Sequence, residues 1–187
     1  TSGTNTLTIS GGITANASLS FGNSSNGGII VSSAIGGTGG IEKDGAGAGK
    51  LLLTTANTYA GTASITTGII QIQNSTSLGA SGSSGTTISA TGAALEINGT
   101  TALSIPEIFT INGTGLSTAG AIRLISASSA ATLSGAITVA SASRINTDVA
   151  TGTNTLTISG GITNTNGLTL GINDAAGITI SGAISGS

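Results

Sequence analysis

Few side chains in this chain could do acid–base or ion-binding chemistry. The acids are Glu42, Asp44, Glu96, Glu107, Asp148 and Asp174, the cations are Lys43, Lys50, Arg123 and Arg144, and Tyr59 is the single tyrosine. Glu42 and Asp44 are two positions apart, so on a strand they would share one face, as the carboxylate pairs of sugar-cleaving sites do. Flanked by Lys43 and Gly45, they read instead as a solvated turn. The remaining acids are scattered and read as surface charge, whereas calcium requires several clustered oxygens. Lys43, Lys50, Arg123 and Arg144 are too dispersed in sequence to form a patch. A covalent Lys–Asn link, from Lys43 or Lys50 to Asn57, is chemically conceivable, but nothing in the sequence supports it. Tyr59 reads as a ring packed over a turn. With no His and no Cys, zinc and iron–sulfur sites, a thiol nucleophile and a Ser-His-Asp triad are excluded. Four Lys+Arg against six Asp+Glu leave no basic patch for a phosphate backbone, so nucleic acid is not an expected partner. The expected catalytic, cofactor-binding and metal-binding sets are all empty, and the chain reads as no enzyme.

The elements that must carry these residues are built from an unusual alphabet. Of 187 residues 32 are Gly, aromatics make up 2 % and charged residues 5 %, against roughly 25 % charged in an ordinary domain. The hydrophobic 37 % is mostly Ala, Ile, Leu and Val, so any core is aliphatic. No apolar run approaches the roughly 18 residues of a membrane-spanning helix, and no basic segment followed by an apolar stretch marks a signal peptide. The opening Thr1 reads as the start of a piece of a longer chain. Because charge maintains the solubility of free domains, a surface this poor in it fits a polymer or a carried rod.

Repeats come at two scales. Residues 3–14 and 152–163 are the same twelve letters, GTNTLTISGGIT, and 20 of 38 positions are identical between 1–38 and 150–187. The chain therefore reads as one continuous rod: a long repeat over 1–149 and the start of the next over 150–187. Inside it a corner-like motif, apolar-x-Ser-Gly-small-Ile, begins at Ile9, Leu133, Ile158 and Ile180, with a looser copy at Val31. The steps from Ile9 to Val31, from Ile158 to Ile180 and from Leu133 to Ile158 fall in the range of about 20–25 residues that suits one coil of a β-solenoid. Seven coils of about 21 residues would fill the long repeat, an axial length of about 34 Å at the usual strand spacing.

Local patterns agree. Thr4–Ser10, Ser18–Phe21, Ile69–Gln73, Ala94–Ile97, Ala121–Ile125, Leu168–Leu170 and Gly177–Ile180 alternate apolar and polar residues, the mark of half-buried strands. Asn-Gly pairs at 26–27, 98–99, 112–113 and 166–167 predict tight turns with positive φ, and Gly11, Gly12, Gly160 and Gly161 are expected at corners. No helical period survives, and the clean alternation argues against disorder. A membrane barrel would need aromatic girdles that this composition lacks.

One stretch carries a resemblance. Gly39-Gly40-Ile41-Glu42-Lys43-Asp44-Gly45-Ala46-Gly47 leads to Leu51-Leu52-Leu53-Thr54, then to Ala56-Asn57-Thr58-Tyr59-Ala60-Gly61-Thr62 and Ile65-Thr66-Thr67-Gly68-Ile69-Ile70-Gln71-Ile72. It resembles the autotransporter-associated β-strand repeat. Gly120-Ala121-Ile122-Arg123 and Ser143-Arg144-Ile145-Asn146 are similar to the segments that follow that unit, while Gly49-Lys50 and Thr62 depart from it. The resemblance implies an all-β, right-handed parallel β-helix (a β-solenoid) with coils of about 20–25 residues, in large secreted or surface-displayed bacterial proteins. The expected function is an extracellular structural rod, stalk, surface filament or adhesin passenger. Self-association end to end or in tandem is its expected contact, with cell-surface or polysaccharide contact besides. Two other readings stay open. Thr4-x-Thr6-x-Thr8 and Thr153-x-Thr155-x-Thr157 are hydroxyl rows of the kind that order water, which makes an ice-binding solenoid the main alternative, provided such rows continue in register over consecutive coils. A polysaccharide-binding or polysaccharide-cleaving β-helix is the other.

Overall fold

The computed structural model describes residues 5–23, 26–45, 49–89 and 91–186. Period-2 segments separated by Gly-rich corners cannot close a core with their neighbours in sequence, so each must stack on the segment one coil away. The chain accordingly winds into eight coils whose strands all pair in parallel. It is a β-solenoid with three faces, consistent with a right-handed parallel β-helix and with the right-handed rule for parallel connections.

One coil shows the plan: Leu7–Ile9 lies on the first face, Ile13–Thr14 on the second and Leu19–Gly22 on the third. The first and third faces are eight-stranded sheets. The second begins with the pair Ile13–Thr14 and Ile35–Gly36 and ends as a four-stranded sheet from Leu103–Ile105 to Gly177–Ile180. Between them it runs on without strands. Thr58 N donates to Ile35 O at 2.8 Å and Ala80 N to Tyr59 O at 3.0 Å, and Ser104 N donates to Ser75 Oγ at 3.0 Å.

The core consists of columns. On the first face Leu7, Ile29, Leu51, Ile70, Leu95, Ile122, Ile145 and Leu170 stack in register. The coils between these positions are unequal: the shortest runs from Leu51 to Ile70 and the longest from Leu95 to Ile122. The shortest coil replaces a second-face strand with the Asn57–Ala60 segment, and the longest carries a 3-10 turn, Leu116–Thr118. Apolar burial against the neighbouring coil is thus the main favourable term.

The corner motif has two structural causes. Its Ser reaches one coil away: Ser32 Oγ donates to Ile9 O at 3.3 Å, Ser134 Oγ to Ile105 O at 3.2 Å and Ser159 Oγ to Leu133 O at 3.4 Å. Its Gly sits against backbone. A Cβ on Gly160 would lie 2.5 Å from the Gly135 carbonyl carbon and closer still to its oxygen. Of the Asn-Gly pairs, 112–113 and 166–167 have the expected positive φ, at 79° and 89°. Gly27 and Gly99 do not; there a Cβ would strike Asn5 or Thr101 backbone.

The expectation of seven whole coils per long repeat is corrected. Six steps up the first face lead from Leu7 to Ile145, and Leu156, the counterpart of Leu7, comes next on the second face. The long repeat therefore spans six coils and one further face.

Candidate functional site

The stacking gathers charge that the sequence scatters. On the first face Leu52, Gln71, Glu96, Arg123 and Asn146 occupy one outward column in register, and Lys50 reaches over from the strand Lys50–Leu53. Lys50 Nζ donates to Glu96 Oε2 at 2.5 Å, Gln71 Nε2 to the same oxygen at 2.8 Å, and Arg123 Nη1 to Glu96 Oε1 at 3.0 Å. Arg123 Nη2 also pairs with Asp148. All three ion pairs among the described residues lie here. The expectation that the cations are too dispersed for a patch is thus corrected for Lys50 and Arg123. Glu96, 2 % exposed, is not surface charge: both its oxygens are taken by donors, so it acts as a cross-coil tie. Arg144 lies one coil on and pairs with no carboxylate among the described residues; its Nη2 reaches Asn146 and Asn173 oxygens at 3.4 Å. The Nε atoms of Arg123 and Arg144 and Nδ2 of Asn146 are buried without partners. Beside Lys50 the same face carries a shallow groove of about 290 Å³ lined by Thr6, Asn26, Ile30, Lys50, Leu52 and Gln71.

Glu42 and Asp44 lie on the strand Ile41–Asp44, not on a turn, and do share its outward side; Glu42 is half-buried and Asp44 exposed. The neighbouring Lys43, by contrast, is not solvated. Its position stacks between Phe21 and Ile65 in a core column, the side chain is fully buried, and Nζ donates to Asp44 O at 2.7 Å and Gly45 O at 3.1 Å. Burial pushes its pKa down, partly opposed by the Asp44 carboxylate.

Glu107 is likewise buried rather than surface. Thr86 Oγ1 donates to it at 2.9 Å and Ser83 Oγ at 3.3 Å. Burial raises its pKa, and these two hydrogen bonds pull the other way. Tyr59 is fully buried with an unpartnered hydroxyl, and burial, then the charge of Glu107, raises its pKa. Its ring lies close to Gly79, where a Cβ would lie 2.9 Å from it. Asn57 accepts from Ile35 N at 2.8 Å and donates to Ser77 O at 2.6 Å. Its hydrogen bonds therefore differ from those of Lys43 and Lys50, and the structure pairs neither lysine with it. Asp174 takes the backbone N–H of Val149 and, at 2.8 Å, of Ala176; its counterpart Ser25 lies outside the described residues.

The hydroxyl rows divide by position. Thr4 lies outside the described residues, and Thr8 stacks on Ile30, so no row starts there. On the third face, however, Ser64, Thr87, Thr110, Thr138 and Thr163 form an in-register outward column on five consecutive coils. A second column on the second face contains Ser104, Thr132, Thr157 and Thr179. Corner hydroxyls bond to the coil below; none in these columns has a protein partner for its side chain among the described residues. No group of three or more Asp or Glu gathers among the described residues.

Comparison with known proteins returns no matching family model, no matching curated protein and no matching solved structure.

Proposed function

We propose that this chain is a segment of a repetitive extracellular structural rod at a bacterial cell surface, serving as a stalk, surface filament or adhesin passenger without catalysis. The carrying observation is the unbroken stack of eight parallel coils in which the residues able to do chemistry hold coil to coil. Glu96, Arg123 and Lys50 tie three coils together, and Glu107 and Lys43 are internal. Reuse of residues 3–14 as 152–163 supports growth by tandem repetition. The resemblance to the autotransporter-associated repeat supports a surface location. Parallel edges with unpaired backbone groups give a mechanism for joining rods end to end. The groove beside Lys50 is the surface we propose for any polysaccharide contact. The test is an antibody raised against the whole 187-residue chain. Labelling of intact source cells is expected; labelling only after permeabilisation overturns the location.

A second reading, ice binding, is favoured by one observation: the third-face hydroxyl column repeats at about 4.8 Å, the strand spacing, with its hydroxyls uncommitted. Thermal hysteresis of the purified chain that disappears in Thr138→Lys would establish this reading in place of the first. No hysteresis at any concentration reached removes it.

A further inference from the structure

The two copies of the repeated sequence do not occupy the same faces. In the first copy, Leu7–Ile9 is on the first face, Ile13–Thr14 on the second, Leu19–Gly22 on the third, Ile29–Val31 on the first and Ile35–Gly36 on the second. Their counterparts in the second copy are Thr155–Ile158, Ile162–Asn164, Leu168–Ile172, Gly177–Ile180 and Ile184–Ser185. These fall on the second, third, first, second and third faces. All five strands shift by one face in the same direction.

The shift is possible because the corner motif fits more than one corner. Ile9-Ser10-Gly11-Gly12-Ile13 joins the first face to the second, and the identical Ile158-Ser159-Gly160-Gly161-Ile162 joins the second to the third. At the second-to-third corner Ser159 and Gly160 meet backbone of the coil before. At the first-to-second corner Ser32 of the looser copy likewise bonds to Ile9 O, and a Cβ on Gly11 would meet nothing within 4 Å, so neither corner demands a particular partner side chain.

We infer that wherever this unit recurs in tandem, each unit is rotated about the rod axis by one third of a turn relative to the one before. The inference rests on the tandem-rod reading above and adds its geometry. Six and one third coils give a rise of about 30 Å per unit, and three units, nineteen coils, return to the starting face after about 91 Å at roughly 4.8 Å per coil. The patch formed by Lys50, Glu96, Arg123 and Asp148, which one unit carries on one face, is then presented in three directions along the rod. A second rod that recognises this patch meets it from any side, so lateral contacts build a three-dimensional bundle rather than a flat ribbon. Integer-coil repeats would confine the patch to one side.

The shift is testable in the 187-residue chain, which has no native Cys. Thr132→Cys/Thr157→Cys and Thr138→Cys/Thr163→Cys place thiols on neighbouring strands of the second and third faces. A short bifunctional maleimide should convert both variants to the internally linked form. Arg144→Cys/Thr157→Cys, with Arg144 on the first face, should stay at the background of single-cysteine controls. Linking of the third pair with failure of the first two overturns the inference. A chain carrying residues 1–149 three times ahead of 150–187, imaged by electron cryo-microscopy, reads the array directly. A third of a turn per unit is expected, and units aligned without rotation contradict it. If surface labelling of cells fails while both pairs link, the location is wrong and the rotation stands.

Discussion

The corner glycines give the sharpest test of how the coils are held together. Gly11 and Gly160 are the same residue in the same twelve-letter sequence, and neither has a positive φ, so Ala at either position meets no backbone strain. Their surroundings differ. Around Gly11 a Cβ meets nothing within 4 Å, whereas at Gly160 it would lie 2.5 Å from the Gly135 carbonyl carbon and 3.0 Å from Ser134 O. Relief requires the corner to lift from the coil below. That strains two hydrogen bonds, Ser159 N to Leu133 O at 2.9 Å and Gly160 N to Leu133 O at 3.1 Å. At about 1 kcal/mol for each bond and about 1–3 kcal/mol for overpacking, Gly160→Ala should cost about 3–5 kcal/mol. Gly11→Ala should be neutral or stabilising by up to about 1 kcal/mol, through reduced freedom of the unfolded chain. Urea unfolding followed by far-ultraviolet circular dichroism reads the difference, and the melting point of Gly160→Ala should fall by roughly 10 °C at about 2–4 °C per kcal/mol. Equal stabilities for the two variants would refute the close-approach account of the motif.

Three further substitutions address the ties and the buried charges. Glu96→Leu leaves Arg123 with Asp148 alone and strands Lys50 and Gln71; a loss of about 2–3 kcal/mol is expected, below the usual figure for breaking a buried pair because Lys50 is partly exposed. A loss of less than about 0.5 kcal/mol in urea unfolding would mean that the ladder is decoration. Glu107 has a folded pKa above its ordinary value, so its contribution is full at low pH and is lost as pH rises through the folded pKa. Glu107→Gln should therefore match the parent near pH 4 and melt higher at pH 8; a constant difference between the two pH values would contradict this. Lys43 has a lowered pKa, so its charged form costs stability as pH falls below about 10.5, the ordinary lysine value. Lys43→Met, which restores an apolar core column, should be more stable by about 1 kcal/mol at pH 7. That advantage should shrink toward pH 10, and a destabilised Lys43→Met at pH 7 would show that its bonds to the Asp44 and Gly45 carbonyls outweigh its burial.

What the sequence discloses is local and periodic. Alternation marks the strands around Leu19, Ile70, Leu95, Ile122 and Leu170, and recurrence of Ser-Gly-x-Ile marks corners. Register is another matter. The coils differ in length because the Asn57–Ala60 segment shortens one and the turn at Leu116–Thr118 lengthens another. No constant period brings Lys50 to Glu96, 46 residues away, or Arg123 to Glu96, 27 away. The rotation of the long repeat is hidden for the same reason, since a mean of about 21 residues per coil returns a whole number of coils. The placement of Lys43 is legible in principle. Ile41 points inward, so the residue two on must as well, but three consecutive charged side chains read as solvated. Its ammonium escapes the core by bonding two carbonyls at the corner. Glu107 follows the only Pro and gives no periodic signal; Thr86 and Ser83 reach it from the coil before.

Electron cryo-microscopy of the native material, averaged along any filament axis, tests the central claim most directly. The account predicts an unbranched rod with layers near 4.8 Å, a unit rise of about 30 Å and a full axial period of about 91 Å. A short body of about eight layers, roughly 38 Å, capped by a globular tip and never continued, would contradict it.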